Sequence, residues 1–374
     1  MHSIWESSVF HARPRVLVIG GGIVGLFTAL FHKRENPYHH VVVAERGAFP
    51  SGASVKNAGF ACYGSPSELL SDMLREGTEA AVGRVAMRWE GLRALRQEIG
   101  DEELGFVPSG GSEIFHAHDP RYAQVAEKFD RLNELLRPVL GFKPYQWADD
   151  GIAKFGLGSV RHLVRIAEEG PLHSGLLMNA LLRRAVAAGV LFKGGTTVSR
   201  LEEHGDRVEA ICEDGEVLAA DQVVLALNGF TRMLRPDLDV VPARGQVLLT
   251  EPIPGLQLQG TFHYDEGFYY FREFGGGVLI GGGRNLDLAG ERTWEEGTTE
   301  VVQQGILELL KEVVLPGREF RISQRWSGIM GFGEHGKTPL IERLSPKMVV
   351  AARLGGMGVA IGIKVARQAA ELLK

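Results

Sequence analysis

Two unbroken apolar runs, Val16-Leu17-Val18-Ile19 and Val41-Val42-Val43-Ala44, dominate the hydrophobic pattern of the first fifty residues. They read as buried strands. Between them the chain turns through Gly20-Gly21-Gly22-Ile23-Val24-Gly25 into an apolar segment of helical length, and Glu45 closes the second run. The glycines have separate duties: Gly20 permits a tight turn, Gly22 lets the backbone approach a pyrophosphate, and Gly25 lets helix and strand pack closely. A helix opening at Ile23 and Val24 offers unpaired amides and the positive end of its dipole to phosphates. Glu45 stands 20 residues beyond Gly25, the spacing of an acid that hydrogen-bonds ribose hydroxyls. Strand, glycine triplet, helix and acid in this order predict dinucleotide binding.

Farther along, a small-residue loop over 47–54 leads into Val55-Lys56-Asn57-Ala58-Gly59-Phe60. Apolar positions recur at helical spacing through 67–100, as Leu69, Leu70, Met73 and Leu74, then Val82 and Val85. Glu113-Ile114-Phe115 reads as a short strand, 122–135 as a helix, and 175–190 as an amphipathic helix ended by Gly189. Strands follow at 191–192, 197–198 and 208–212, with Asp214-Gly215 at the centre of a hairpin turn. Residues 221–229 form a second buried strand that runs into the Asn228-Gly229 turn. Over 240–330 the pattern predicts strands at 246–250, 268–271, 278–280 and 321–326, interrupted by one helix near 298–313. A last strand covers 348–352, and Gly355-Gly356-Met357-Gly358 opens a helix that runs to the C-terminus. Four small or flexible residues before an apolar helix suit close approach to a planar anion.

This order gives an α/β fold: nucleotide-binding segments at the start, middle and end of the chain, with an antiparallel-sheet (α+β) domain inserted between them. The expected division is 1–75, 150–238 and 340–374 for the first domain, and 76–149 and 239–339 for the second. A chain of 374 residues exceeds one ordinary core, in keeping with two domains. The formal charge of −5 and the lack of a basic run argue against nucleic acid as the main partner. No stretch of 18 apolar residues occurs, so no transmembrane segment is expected. The first 14 residues lack an apolar core of signal-peptide length, which points to a reduced, cytoplasmic setting. Cys62 and Cys212 cannot build a disulfide framework, and neither they nor His39-His40 and His116-x-His118 have metal-like spacing with a third ligand. No metal is expected.

Further motifs accompany the glycine turn and Glu45-Arg46. They are Gly52-Ala53-Ser54-x-x-Asn57-Ala58-Gly59, Ala220-Asp221-x-Val223-Val224-Leu225-Ala226, Pro242-Ala243-Arg244-Gly245-Gln246 and Leu279-Ile280-Gly281-Gly282. Trp326-Ser327-Gly328, Thr338-Pro339-Leu340-Ile341 and the closing Gly355-Gly356-Met357-Gly358 complete the series. Over nearly the whole chain this order resembles the flavoprotein amine and amino-acid oxidases of the D-amino-acid oxidase group, which includes glycine oxidase and sarcosine oxidase. The resemblance implies a Rossmann-type FAD-binding domain carrying a substrate domain. It implies phosphates at Gly20, Gly22, Ile23, Val24 and Gly25, adenosine ribose on Glu45, and Arg46 beside it. Ser54, Lys56, Asn57 and Ala58 match a loop that passes along pyrophosphate and flavin. Val198 matches a strand residue whose backbone contacts adenine, and Asn228 and Gly229 match the turn after the mid-chain strand. The helix opening at Gly355, Gly356, Met357 and Gly358 would aim its amides at the flavin carbonyl end. The FAD would be non-covalent, since neither cysteine lies in the last third of the chain, where sarcosine oxidases tether theirs.

The implied activity is oxidation of the carbon–nitrogen bond of a small amine or amino acid by hydride transfer to flavin. Imine hydrolysis follows, and oxygen or another acceptor takes the electrons. The cofactor carries the chemistry, so no side-chain base is obligatory. Substrate selection would reside in the inserted sheet. Alternation through 268–272 puts Tyr269 and Phe271 on one face, Tyr270 and Arg272 on the other. The resemblance assigns Tyr269 to the place of glycine oxidase's substrate-contacting tyrosine. Met330 stands where glycine oxidase carries a carboxylate-binding arginine, and Arg272, Arg284 and Arg353 are candidates to replace it. That departure keeps a bulkier or less anionic amine open beside glycine. Two rivals stand beside this reading: a flavin dehydrogenase of a 2-hydroxy acid using a quinone or protein acceptor, and a flavin module acting on a macromolecule such as modified RNA. The sequence leaves the oligomeric state open.

Overall fold

The computed structural model describes residues 3–373. Val16–Ile19 and Val41–Ala44 form adjacent parallel strands whose eight side chains are all buried. They lie inside a six-stranded sheet in the order Leu340–Ser345, Met348–Ala352, Gln222–Leu225, Val16–Ile19, Val41–Ala44, Leu191–Lys193. Only the first of these runs antiparallel to its neighbour. Parallel strands covered on both faces must be apolar throughout, which explains the unbroken runs. Helix Ile23–Glu35 is buried along most of its length and packs on helix Gly358–Glu371. Gly362 permits that approach, since a Cβ there would come within 2.9 Å of the Ile23 side chain. A separate three-stranded sheet contains the expected hairpin, Val208–Cys212 with Val217–Ala220, turning at Gly215 with φ 87°.

The second sheet has eight strands, in the order Ile322–Phe332, Val241–Thr250, Gly277–Gly282, Tyr269–Phe274, Thr261–Tyr264, Gly111–His116, Val160–Ile166, Tyr145–Trp147. Leu248, Phe262, Tyr269, Phe271 and Ile280 form an apolar cluster with Val302, Ile306 and Leu309 of helix Glu300–Leu309, so that helix covers one face. A second cluster joins Phe115, Tyr145, Val164 and Ile166 to helices Pro66–Glu76, Thr78–Ile99 and Pro120–Leu140.

By contacts the chain forms two compact units: residues to Val55, Gly175–Ala243 and Ile329 onward, and Lys56–Ser174 with Arg244–Gly328. The boundaries differ from the expected ones, since 56–75 and 150–174 belong to the second unit, and 239–243 and 329–339 to the first. The cause is local pairing that no motif announces: Phe60–Ala61 pairs with Gly170–Pro171, and Leu172 N–H donates to Gly59 O at 2.8 Å. The helix expected over 67–100 is two helices, broken at Gly77, whose φ of 87° a helix interior does not accept. Strands Tyr145–Trp147, Val160–Ile166 and Thr261–Tyr264 were not expected at all.

Candidate functional site

In the first unit the glycine turn is fixed by backbone crowding. Gly20 has φ 108°, and a Cβ on it would lie 2.5 Å from Ala226 O; a Cβ on Gly25 would overlap the carbonyl oxygen of Gly20. Glu45, 7% exposed, folds back onto this turn. Its Oε2 accepts from Gly21 N–H at 2.8 Å, and its Oε1 accepts from Gly47 N–H at 3.1 Å and Ser51 Oγ–H at 2.7 Å. One carboxylate thus ties the turn after the first strand to the loop after the second. Ser54 Oγ accepts from Ile23 N–H at 3.0 Å, capping the helix whose next residue is the buried Val24. Gly22 is the cap residue itself, extended, and a side chain there would press on Ser54 Oγ. Arg46 lies over the Phe230 ring, 4.1 Å from its centroid. Val198 pairs across a bulge with Cys212 and packs on the core of this unit.

Three other segments of the first unit meet each other. Asn228, left-handed at φ 46°, accepts from Leu354 N–H at 3.2 Å through Oδ1. Gly355 N–H donates to Gly331 O at 2.8 Å, and a Cβ on Gly331 would lie 2.8 Å from Asn228 Oδ1. A Cβ on Gly229 would strike the carbonyl oxygen of Met330. Met330 therefore meets this turn through its backbone. Gly356 faces open space, with nothing within 4 Å of an added Cβ, directly before Met357 and the first helical residue Gly358. Small residues converge here where a flat ligand needs the backbone, and the glycine turn, the buried acid and this opening fit a dinucleotide.

The second unit holds the loop from Lys56. The Lys56 ammonium forms an ion pair with Glu296, and its carbonyl accepts from Trp326 Nε1–H at 2.9 Å. Asn57 Oδ1 accepts from Gly59 N–H at 2.8 Å and Ser174 Oγ–H at 2.7 Å, which bends the loop. Ala58 is buried with Val247 and Leu279, beside Phe60, Tyr270, Phe274 and Trp326. This is the sheet face opposite helix Glu300–Leu309. Strand register sets Thr261 against Arg272 and His263 against Tyr270, so these four share it.

The alternation of 269–272 is therefore as expected, but Tyr269 is on the helix-covered side. Tyr269 belongs to the apolar cluster with Phe262 and Phe271, and its hydroxyl points at Gly305 of the helix. Alternation fixes which residues share a face but not which face a helix will cover, and so Tyr270, not Tyr269, stands with Arg272. Burial pushes the Tyr270 phenol up to about 12, which keeps it a protonated donor.

Arg272 is 6% exposed. Among the described residues nothing accepts a hydrogen bond from its guanidinium, and Nε is fully buried without a partner. Phe274 lies 5.3 Å from its Cζ, and a Cβ on Gly59 would be 3.2 Å from Nη2. Burial pulls its pKa down to about 10, against a weaker attraction from Glu273, so the group stays cationic at neutral pH. Thr261, fully buried, also has an unpartnered Oγ1. Sequence reasoning missed Thr261 because its strand carried no recognisable pattern. It missed the adjoining acid network too. His263 Nε2 lies 3.2 Å from Glu169 Oε2; burial lowers this imidazole, but Glu169 overcomes that and holds it above its ordinary value. Glu113, with Ser65 Oγ at 2.8 Å and Ser67 N at 3.0 Å, is pushed up to about 7 by burial. Cys62, beside Arg88, is pushed up to about 12 and stays an inert thiol.

A parallel-sheet nucleotide cradle combined in one chain with a largely antiparallel sheet that buries unpartnered polar groups is the architecture of a dinucleotide-dependent oxidoreductase. The chain belongs to the family of FAD-dependent oxidoreductases (DAO), whose family model matches residues 15–372. FAD is its cofactor. The chain is 28% identical over 241 residues to the bifunctional protein ThiO/ThiG of Synechocystis, a match covering 62% of this chain and 32% of that protein. The chain thus spans about a third of that relative's length. It is 27% identical over 379 residues to the D-amino acid dehydrogenase of Methylobacterium nodulans, covering 87% of each. The fold matches the L-proline dehydrogenase of P. horikoshii with TM-score 0.76 and 18% identity, covering 97% and 93% of the two chains. It matches the glycine oxidase of Geobacillus kaustophilus with TM-score 0.75 and 21% identity, covering 96% and 94%. No helix among the described residues is long and apolar enough to cross a membrane.

Proposed function

We propose that this enzyme oxidises the carbon–nitrogen bond of a small amine or amino acid. The observation that carries the reading is the sheet face away from helix Glu300–Leu309, where the buried guanidinium of Arg272 and the hydroxyl of Thr261 have unpartnered polar atoms and Tyr270 packs with Phe60 and Trp326. Aromatic walls with a few convergent polar groups suit a small polar substrate. The D-amino acid dehydrogenase and glycine oxidase relatives support the same substrate class. Bound FAD supplies the two-electron oxidation, and water hydrolyses the imine product.

The chain's own residues bind and orient. Gly20, Gly22, Ile23, Val24 and Gly25 would hold the pyrophosphate on turn and helix amides, with Glu45 and Arg46 toward the adenosine ribose and Val198 at the adenine. Ser54, Asn228, Gly229 and the Gly355, Gly356, Met357 and Gly358 opening would line the cofactor, and Lys56, Asn57 and Ala58 follow as loop contacts by family resemblance. Lys56 would act through its backbone, because its charge is already answered by Glu296. Met330, backbone to the Asn228–Gly229 turn, lacks the charge to hold a carboxylate. Binding would be non-covalent, so acid precipitation should release all the flavin. A reduced cytoplasmic setting agrees with two free cysteines.

The test is the anaerobic visible spectrum of the FAD-loaded protein during titration with primary amines, secondary amines, amino acids and 2-hydroxy acids. Bleaching by an amine or amino acid is the expected result; bleaching by hydroxy acids alone would overturn it. Hydrogen peroxide yield under air then separates oxygen from another acceptor.

A further inference from the structure

We propose that Glu169, His263 and Glu113 are positioning residues for the amine oxidation: together they fix the segment 60–67 so that Phe60 stands as one wall of the substrate site. The inference rests on the amine-oxidation reading for the place of the substrate, and adds the groups that hold that place.

Segment 60–67 follows directly on the loop of Lys56, Asn57 and Ala58. Strand pairing with Gly170–Pro171 holds Phe60 and Ala61, and beyond them two buried acids hold the chain. Glu169 Oε1 accepts from Tyr63 N–H at 2.9 Å and from Gly64 N–H at 3.3 Å. Glu113 accepts from Ser65 Oγ–H at 2.8 Å, from Ser67 N–H at 3.0 Å and from the Ser67 hydroxyl. His263 joins the two acids: its Nε2 is 3.2 Å from Glu169 Oε2, and strand register sets it beside Glu113. Gly111 makes room, since a Cβ there would lie 2.2 Å from Glu169 Oε2. The His263 ring meets the Phe60 ring edge-on at 5.4 Å, and Phe60 meets Tyr270 in the same way at 5.7 Å. Two carboxylates are costly to bury, and a segment that only needed covering could be held by backbone pairing alone. Such an arrangement suits a side chain that must stand in one place, and here that side chain is Phe60.

The imidazole is the member that protonation alters. Its proton strengthens both the bond to Glu169 and the attraction to the Phe60 ring. The other titratable and charged groups around it are Glu113, Glu68 of helix Pro66–Glu76, the Cys62 thiol, and Tyr270 and Arg272 of the neighbouring strand. Glu68 is paired with Arg88, and both it and Glu113 favour the proton. Cys62 and Tyr270, each pushed up to about 12 by burial, stay neutral. Burial opposes the proton on His263, but Glu169 holds the group above its ordinary value. Loss of that proton as pH rises past the raised value therefore loosens Phe60, and substrate binding should weaken.

The test uses the FAD-loaded protein as wild type, Glu169→Leu, His263→Gln, Phe60→Ala and the Phe60→Ala, His263→Gln double variant. Amide hydrogen exchange over 60–67 is measured first, at one pH. Exchange at Tyr63 and Gly64 should rise about tenfold in Glu169→Leu and about threefold in His263→Gln. Should Glu169→Leu fail to fold, His263→Gln decides, and wild-type protection of the segment in that variant would overturn the proposal. Half-saturation concentrations are then read from anaerobic flavin bleaching between about pH 6 and 10, with an amine or amino acid that reduces the wild type. The ratio of His263→Gln to wild type should fall from about ten at the acid end toward one at the alkaline end, which cancels titration of the substrate itself. Phe60→Ala should weaken binding by a similar factor, and His263→Gln added to it should cost less than about twofold more. A ratio that does not change with pH would overturn the proposal. So would effects of Phe60→Ala and His263→Gln that multiply, because the imidazole would then act other than through Phe60. If exchange responds as expected but no amine or amino acid bleaches the wild-type flavin, the hold on the segment stands and the oxidation reading falls.

Discussion

The two faces of the eight-stranded sheet carry arginines of nearly equal burial and opposite circumstance. Arg244, 7% exposed, shares its side with Gln246 and helix Glu300–Leu309. It donates to Glu291 through Nε and Nη2, both at 2.9 Å, and to Glu295 O through Nη1 at 3.3 Å. Glu291 in turn accepts from Gln246 and Thr299, and Gln246 accepts from Gln303, so that every member is used. Across the sheet Arg272 Nε and Thr261 Oγ1 have no such closure. A closed buried network is a structural element, because removing any member leaves the others stranded. An open one is destabilising by itself and suits a site that a ligand completes. The difference separates structure from function on one sheet without reference to any motif.

The largest effect should come from exchanging each arginine for methionine. Arg244→Met strands the fully buried Glu291 and should lose about 3–5 kcal/mol in denaturant unfolding. Arg272→Met removes a buried charge that no hydrogen-bond acceptor holds and that Glu273 offsets only weakly, and should lose none, or gain stability. Equal losses would break the comparison, because they would mean that Arg272 has a structural partner.

Carboxylates sharpen it next. Hydrogen bonds and charge from Arg244, with Gln246 and Thr299, outweigh burial and hold Glu291 below the usual carboxylate range. Its contribution is therefore complete above the ordinary pKa and is lost as pH falls through the lowered value. Glu113, on the His263 side by strand register, behaves oppositely. With a folded pKa raised from 4.5 to about 7, it stays protonated while the unfolded chain ionises. Stability should then fall as pH rises from about 4.5 to 7, by on the order of 3 kcal/mol, and level off above. Glu113→Gln should flatten that slope, as read from unfolding midpoints across the window, while Glu291→Gln should remove part of the acid limb instead.

Much of this was legible in the sequence where one backbone conformation is demanded. The Gly20–Gly25 turn, Glu45 and the Gly355–Gly358 opening were readable because a Cβ at several of these positions meets backbone or because nothing does, and such constraints leave fixed residue types at fixed spacing. The open face was only half legible. Alternation separated Tyr269 from Tyr270, but the side to be covered depends on helix Glu300–Leu309, some thirty residues away. Thr261 and Glu113 were invisible for a related reason: their roles exist only through strand pairing with distant segments. The break at Gly77 was written in the chain and outweighed by the periodicity on either side.

The smallest effect tests the same divide at one atom. Tyr269 and Tyr270 are consecutive, and each to Phe removes a single hydroxyl from opposite faces. On the covered face the Tyr269 hydroxyl packs against Gly305, so its loss should leave substrate half-saturation unchanged. On the open face the Tyr270 hydroxyl, kept protonated by burial, is available to donate to a bound ligand. One such hydrogen bond is worth about 0.5–1.5 kcal/mol, so Tyr270→Phe should weaken substrate binding roughly two- to tenfold. Half-saturation concentrations for an amino acid that bleaches the flavin decide it. A response to Tyr269→Phe and none to Tyr270→Phe would move the substrate to the helix-covered face and reverse the assignment of both sides.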